Sequence, residues 1–335
     1  MFRNNWFVGC STAELKDKPL GTEILNEKIV LFRDGNGRSQ ALKDRCCHRG
    51  FPLSKGQVCE GNIACGYHGW QYDGAGQCVK IPSQTPDKQI SKVYHVPNFS
   101  CEEKDGYIWV WLGDTEKKQI PAIPEFAEGK WIQGSRRVKC NFLRALEITF
   151  DGAHVYFAHP KHPATIAAQK FGLISDKSEV RMTELGCVVF SPPATSDEQP
   201  IPQGASTMAF NLPGHIRFVW PMPNGVYYMN FFVTPIGEEE CRIDYLVQNF
   251  DPNGPHLRWS SGPSDIIEED AFVLEAIQPA YMQEGEEFEK SVEADLPHLT
   301  LRRIVRMAMD NKWNGLKTDL PPRRTFTAMR PSQWN

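Results

Sequence analysis

Two short loops hold most of the residues able to do chemistry. Cys46 and His48 form a C-x-H pair, and Cys65 and His68 form a C-x-x-H pair beyond a sixteen-residue spacer. Thiolates and imidazoles gathered on two turns make a metal site. By ligand identity alone, a structural zinc and an iron–sulfur cluster are evenly matched. Zinc fingers usually place two cysteines on one turn and two histidines on the other, whereas each turn here carries one of each. Mixed turns suit a [2Fe–2S] cluster whose two irons take two thiolates and two imidazoles respectively. The C-x-H register selects Cys46, so Cys47 reads as a packed small residue.

A second constellation lies in "EITFDGAHVYFAHP", residues 147–160, where Asp151, His154 and His159 sit among Phe150, Val155 and Phe157. Burying three such groups without partners costs several kcal/mol, and a shared metal removes that cost. Asp151 and His154 are three apart and share a helix face. His154 and His159 are five apart, about 140° around an ideal helix, so both reach one ion only where the helix is distorted or ends. Pro160 favours an end at His159, because the residue before proline is pushed out of the helical region. A third ligand is available in "SDIIEEDAFVLEAIQP", residues 264–279. Apolar positions 266, 267, 271, 274 and 277 mark a buried stripe, and Asp270 falls on it, whereas Glu268 and Glu269 point more outward. His154, His159 and Asp270 together would make the 2-His-1-carboxylate triad of a non-haem Fe(II) site; a solvated acidic face is the ordinary alternative for Asp270.

The elements that must position these residues differ between the two halves. Residues 5–115 are short runs rich in Val, Ile, Trp and Phe, such as "NWFVGCS", "KIVLFRD" and "GYIWVWLG". They are separated by turns such as "DGNG" and "DGAG", which predicts an all-β half. Residues 113–130 read as a linker, with the boundary set at 1–117 and 118–335. Beyond it come a helical segment over 141–158, several strands between 186 and 250, and helices over 264–282 and 297–313. That order predicts an α+β layer, an antiparallel sheet covered by helices. The strands from 215 to 233 are rich in aromatic residues and Met, as either a pocket wall or a sheet core would be.

Composition narrows the classes. The 335 residues carry a formal net charge of -4 with no run of basic residues, which argues against nucleic acid. The N-terminal stretch is too short in apolar residues for a signal sequence, and no run approaches a membrane span, so a soluble cytoplasmic protein is expected. Ten irregularly spaced cysteines suggest reduced thiols.

The C-x-H-R-G and C-x-x-H-G-W pairs, set in hairpins, resemble the Rieske iron–sulfur motif. Phe51 and Gly66 occupy the places where respiratory Rieske proteins carry clasping cysteines, so the pattern is similar to the soluble oxygenase type. D-x-x-H-x-x-x-x-H, followed far downstream by E-D-x-x-x-x-E, extends the resemblance to the Rieske non-haem iron oxygenases of the vanillate and dicamba O-demethylase and toluenesulfonate methyl-monooxygenase group. The resemblance implies a Rieske domain followed by a helix-grip-like catalytic domain. It implies a [2Fe–2S] cluster, a mononuclear Fe(II), O2, and NAD(P)H electrons delivered by a flavin or iron–sulfur reductase or a ferredoxin. It further implies a homotrimer in which Asp151 bridges His68 of one subunit to His154 of the next. Oxidative demethylation or hydroxylation of a small aromatic or polycyclic molecule is the expected activity. A stereoselective natural-product hydroxylase and a non-catalytic Rieske electron carrier are the alternatives. The family's asparagine ahead of the aspartate is missing, with Glu147 and Ile148 in that neighbourhood. Lys43, Arg45, Arg49 and Lys55 are candidates for a reductase docking patch, against ordinary surface charge.

Overall fold

A computed structural model describes residues 2–128, 131–161, 165–166, 177–196, 199–222, 225–250 and 263–327. The chain divides into two compact units, Met1–Ala122 and Ile123–Asn335.

The described strands of the first unit are β1 (Asn5–Ser11), β2 (Leu20–Ile24), β3 (Glu27–Arg33), β4 (Ser39–Lys43), β5 (Gln57–Cys59), β6 (Asn62–Ala64), β7 (Gln71–Tyr72), β8 (Cys78–Lys80), β9 (Asn98–Phe99), β10 (Cys101–Lys104) and β11 (Tyr107–Leu112). They form three antiparallel sheets, ordered β1-β11-β10, β2-β3-β4-β9 and β5-β6-β7-β8. Every residue of β11 is buried, which explains why "YIWVWL" is apolar without alternation. The D-G-A-G turn ends on Gly76, whose φ is +82°. A Cβ there would sit 1.9 Å from the carbonyl oxygen of Val96, whose own N–H donates to the Gly76 carbonyl. Gly76→Ala should therefore cost about 2 kcal/mol or more, left-handed strain and a backbone clash acting together, and chemical denaturation of the purified protein measures it.

The second unit is built on one antiparallel sheet. Its strands are β12 (Trp131–Val138), β13 (Lys177–Met182), β14 (Gly186–Ser191), β15 (Ser206–Asn211), β16 (His215–Met222), β17 (Gly225–Pro235), β18 (Cys241–Phe250) and β19 (Arg323–Thr327). The order is β12-β18-β17-β16-β15-β14-β13-β19. The period of two fixes what each face carries: Phe218 opposes Met229 and Ile216 opposes Phe231 on one face, with His215, Arg217 and Asn230 on the other. Helices α1 (Phe142–Thr149), α2 (Val155–Ala158), α3 (Pro263–Glu284) and α4 (Leu296–Met309) complete the α+β architecture. Helix α1 packs on β17 and α3 on β12. Among the described residues no helix is long and apolar enough to cross a membrane.

The single helix expected over 141–158 is broken. Helix α1 starts from Asn141, whose side chain accepts the Leu143 N–H at 2.9 Å, and every one of its residues is buried. It stops at Phe150, and a new single turn runs from Val155 to Ala158. Asp151 Oδ1 accepts the Ala153 N–H at 2.7 Å, a local turn that competes with the helix, and Gly152 follows with its low helix propensity. Helix α3 differs from its expected stripe at one point, where Ile277 is exposed and Gln278 is buried. Gln278 Oε1 accepts the backbone N–H of Asn141 at 2.8 Å, and Glu275 Oε1 accepts that of Lys139 at 3.3 Å. Both side chains thus tie α3 to the start of α1.

Candidate metal centres

The two loops of the first unit close in the same way. Gly50 N–H donates to the Cys46 carbonyl at 2.9 Å and Gly69 N–H to the Cys65 carbonyl at 3.0 Å, both glycines having positive φ. Each cysteine N–H is also tied across its own loop, Cys46 to the Phe51 carbonyl and Cys65 to the Trp70 carbonyl. Two matched turns therefore present their side chains to one place. The His48 and His68 rings lie 4.6 Å apart between centroids, and His48 stacks on buried Trp70 at 4.6 Å with its plane within 5°. His48 Nδ1 is buried without a hydrogen-bond partner. Burial pushes the Cys65 thiol up, the N–H groups of Tyr67 and His68 pull it down, and the Cys46 sulfur beside it pushes it up again. Two adjacent sulfurs, backbone N–H groups aimed at one of them and an orphaned imidazole nitrogen fit a metal cluster's ligands.

Cys47 is exposed rather than packed, yet its sulfur reaches the hydroxyl of Tyr72 at 3.3 Å. The same hydroxyl lies 3.1 Å from Cys46 Sγ. Burial, with Cys46 and Cys47 alongside, raises the Tyr72 phenol far above its ordinary value and keeps it protonated. Tyr72 was not singled out from the sequence, because its contacts with Cys46 and Cys47 join residues 26 and 25 positions apart and no local pattern marks them. Of the four basic residues around the loops, Lys43 is paired with Glu27 at 2.9 Å, while Arg45, Arg49 and Lys55 are exposed.

In the second unit the break between α1 and α2 removes the 140° difficulty. His154 is the N-cap of α2 and His159 its C-cap, with φ -122° and ψ 46°. Neither ring is bound to an ideal helix face. His159 Nε2 lies 2.9 Å from Asp270 Oδ1 and His154 Nε2 lies 3.3 Å from the same oxygen. His159 Nε2 and Asp270 Oδ1 nevertheless have no hydrogen-bond partner, because they are aimed at a common point rather than at each other. The three residues offer ligand atoms all within 4.8 Å, a donor set of two imidazoles and one carboxylate that fits a mononuclear Fe(II).

A carboxylate stands on the far side of each ring, within hydrogen-bond distance only at His159. His159 Nδ1 lies 2.7 Å from Glu269 Oε2, and His154 Nδ1 lies 3.6 Å from Asp151 Oδ2. The Glu269 carboxylate fixes the His159 tautomer that leaves Nε2 free for metal, whereas His154 Nδ1 is buried without a hydrogen-bond partner and has Asp151 only as a nearby charge. Glu269 was expected to point outward; its side chain is 47% exposed, but its end turns back to His159. Nothing in the periodicity of α3 signals that. Burial disfavours the His154 imidazolium, but the Asp151 and Asp270 carboxylates outweigh it and lift the group to about 10. Burial raises Asp270, and the two histidines bring it below the usual carboxylate value.

Glu147, at the place of the expected departure, serves packing. Its carboxylate is buried between Arg144, at 2.8 Å, and Arg302 of α4, and Arg302 also reaches Glu286 at 3.0 Å. Glu147→Gln should cost about 1–3 kcal/mol, because the buried arginines lose one charge-assisted partner while Glu286 and Glu289 stay beside them. A thermal melt against wild type measures that loss. Beside the triad lies a cavity of about 180 Å³ whose wall includes Phe190, Met208, Phe218, Trp220, Met229 and Phe231. Among the described residues lining it there is no lysine or arginine.

Comparison with known proteins accords with both units. Residues 5–100 match the Rieske [2Fe-2S] domain, and residues 138–311, more than half of the chain, match the vanillate O-demethylase oxygenase C-terminal domain. The chain therefore belongs to the Rieske non-haem iron oxygenases that carry this C-terminal domain. A vanillate O-demethylase oxygenase subunit from Pseudomonas sp. (strain HR199 / DSM 7063) is 36% identical over 165 residues, covering 47% of this chain and 45% of that protein. A 3-chlorobenzoate-3,4-dioxygenase oxygenase subunit from Comamonas testosteroni is 30% identical over 283 residues, 75% of this chain and 63% of that one. The matches span about half or less of the length of most such curated relatives. Dicamba monooxygenase bound to 3,6-dichlorosalicylic acid superimposes with a TM-score of 0.78 at 24% identity, over 93% of this chain and 98% of that one, and so shares the fold.

Proposed function

We propose that this chain is the oxygenase component of a multicomponent monooxygenase. Cys46 and Cys65 hold one iron of the Rieske cluster and His48 and His68 the other, while His154, His159 and Asp270 hold the mononuclear Fe(II). The observation that carries the reading is the convergence of His154 Nε2, His159 Nε2 and Asp270 Oδ1, each imidazole backed by a carboxylate, beside an apolar cavity. When bound, the cluster supplies single electrons and the Fe(II) supplies O2 activation.

The chain's own residues do the rest. Glu269 orients the His159 imidazole through Nδ1, and Asp151 sets a negative charge beside His154. Phe218, Met229 and Phe231 exclude water and present an apolar wall to the substrate. The apolar wall suits the ring of a small aromatic or polycyclic substrate. The reaction is oxidative demethylation or hydroxylation of such a molecule, with NAD(P)H electrons brought by a reductase or ferredoxin that docks near the exposed Arg45, Arg49 and Lys55. The working assembly is a homotrimer in which Asp151 links His154 to His68 of a neighbouring copy by charge-assisted hydrogen bonds. Absence of disulfides among the ten cysteines suits a reducing cytoplasm.

The test is a screen of methoxy-aromatics and polycyclic compounds with purified protein, a surrogate reductase, NADH and 18O2. Oxygen-18 in the alcohol or phenol made by hydroxylation is expected, or, for demethylation, release of formaldehyde together with a phenol that keeps its unlabelled ether oxygen. Reductase-driven oxidation of no compound, with both metal sites full, would favour the non-catalytic electron carrier.

A further inference from the structure

One hydroxyl stands between two sulfurs. Tyr72, fully buried on β7, places its oxygen 3.1 Å from Cys46 Sγ and 3.3 Å from Cys47 Sγ. We propose that Cys47 is a positioning residue that tunes the reduction potential of the cluster through Tyr72, an inference resting on the assignment of Cys46 as a cluster ligand.

The direction of the hydrogen bonds follows from proton counting. A ligand thiolate carries no proton, so the Tyr72 O–H donates to Cys46. The remaining lone pair of the Tyr72 oxygen then accepts the Cys47 S–H. The result is a one-way chain from Cys47 through Tyr72 to Cys46. A hydrogen bond to a ligand sulfur stabilises the reduced, more negative cluster and raises its potential. Donation into the tyrosine oxygen polarises its O–H and strengthens that bond cooperatively. The thiol is a weak donor, so its contribution is smaller than that of the tyrosine hydroxyl itself.

The position suits a tuning role. Cys47 is exposed and follows Cys46 directly, so it can be changed without opening the core. Residue 47 thus modifies a buried bond from the surface, and substitutions here adjust the cluster without altering a ligand. Serine keeps the chain with a stronger donor, and alanine removes it.

Spectroelectrochemical titration of the purified holoprotein tests this with Cys47→Ala and Cys47→Ser, each made with Tyr72 and with Tyr72→Phe. Cys47→Ala should shift the midpoint to lower potential, Cys47→Ser should hold or raise it, and Tyr72→Phe should lower it further than Cys47→Ala does. With Tyr72→Phe in place, neither change at 47 should move the midpoint. An unmoved midpoint in coloured Cys47→Ala protein overturns the inference alone, as does an equal shift in the Tyr72→Phe background. A wild-type protein without the cluster's colour overturns the ligand assignment and the inference together.

Discussion

Asp270→Ala protein is expected to keep its red-brown colour, lose about one iron per chain, and form product at less than about one hundredth of the wild-type rate. Asp270 lies in the buried stripe of α3 between Ile267 and Leu274, 6% exposed, with Oδ1 shared between two imidazole nitrogens. It is the only anion of the three-residue set, so its removal leaves two neutral ligands and a far weaker hold on a divalent cation. Alanine is the best helix former, and the change removes a buried charge, so the helix itself should survive. Iron analysis of the purified variant, set beside its visible spectrum, separates loss of the mononuclear site from general unfolding. Full iron content with normal turnover would exclude Asp270 from the site.

Asp151→Asn should have the next largest effect, at least a ~100-fold fall in turnover with both metal sites filled. The side chain is nearly isosteric, and its oxygen can still accept the Ala153 N–H that breaks the helix, so the turn carrying His154 stays in place. What disappears is the negative charge 3.6 Å from His154 Nδ1 and, in the trimer proposed above, the proposed link to His68 of the next copy. Burial raises the Asp151 carboxyl, but His154 and the Ala153 N–H outweigh it and hold the group below its ordinary value, so wild-type Asp151 is ionised at neutral pH. Stopped-flow mixing of reduced variant with O2 and substrate reads the consequence as slow cluster reoxidation at unchanged metal content. Reoxidation at the wild-type rate would remove Asp151 from the electron path.

Much of this was legible because ligand chemistry leaves dense local patterns. The C-x-H and C-x-x-H turns state their residues within a few positions, and "YIWVWL", "STMAFN" and "CRIDYLVQNF" are strands by composition and length. The five-residue interval between His154 and His159 even required an interrupted helix. What the pattern did not place was the break itself, ahead of His154 at Asp151–Gly152. It depends on a side-chain turn competing with the helix. Glu269 and Ile277 were misjudged for another reason. A helical wheel tells where a Cβ points, not where a long side chain ends: Glu269 bends back to His159, and Gln278 is drawn inward by the Asn141 N–H. Glu147 and Arg302 are 155 residues apart, so no local pattern joins them. The cavity walls are likewise a tertiary product, since Phe190, Met208, Phe218 and Met229 come from different strands of one sheet.

An electron-carrying cluster and a separate catalytic iron in one chain are read together by metal and sulfide analysis of the anaerobically purified protein, combined with EPR of the dithionite-reduced sample. About three irons and about two acid-labile sulfides per chain are expected, with the reduced signal of a histidine-ligated [2Fe–2S] cluster. A colourless protein containing zinc and no sulfide would rule out both iron sites.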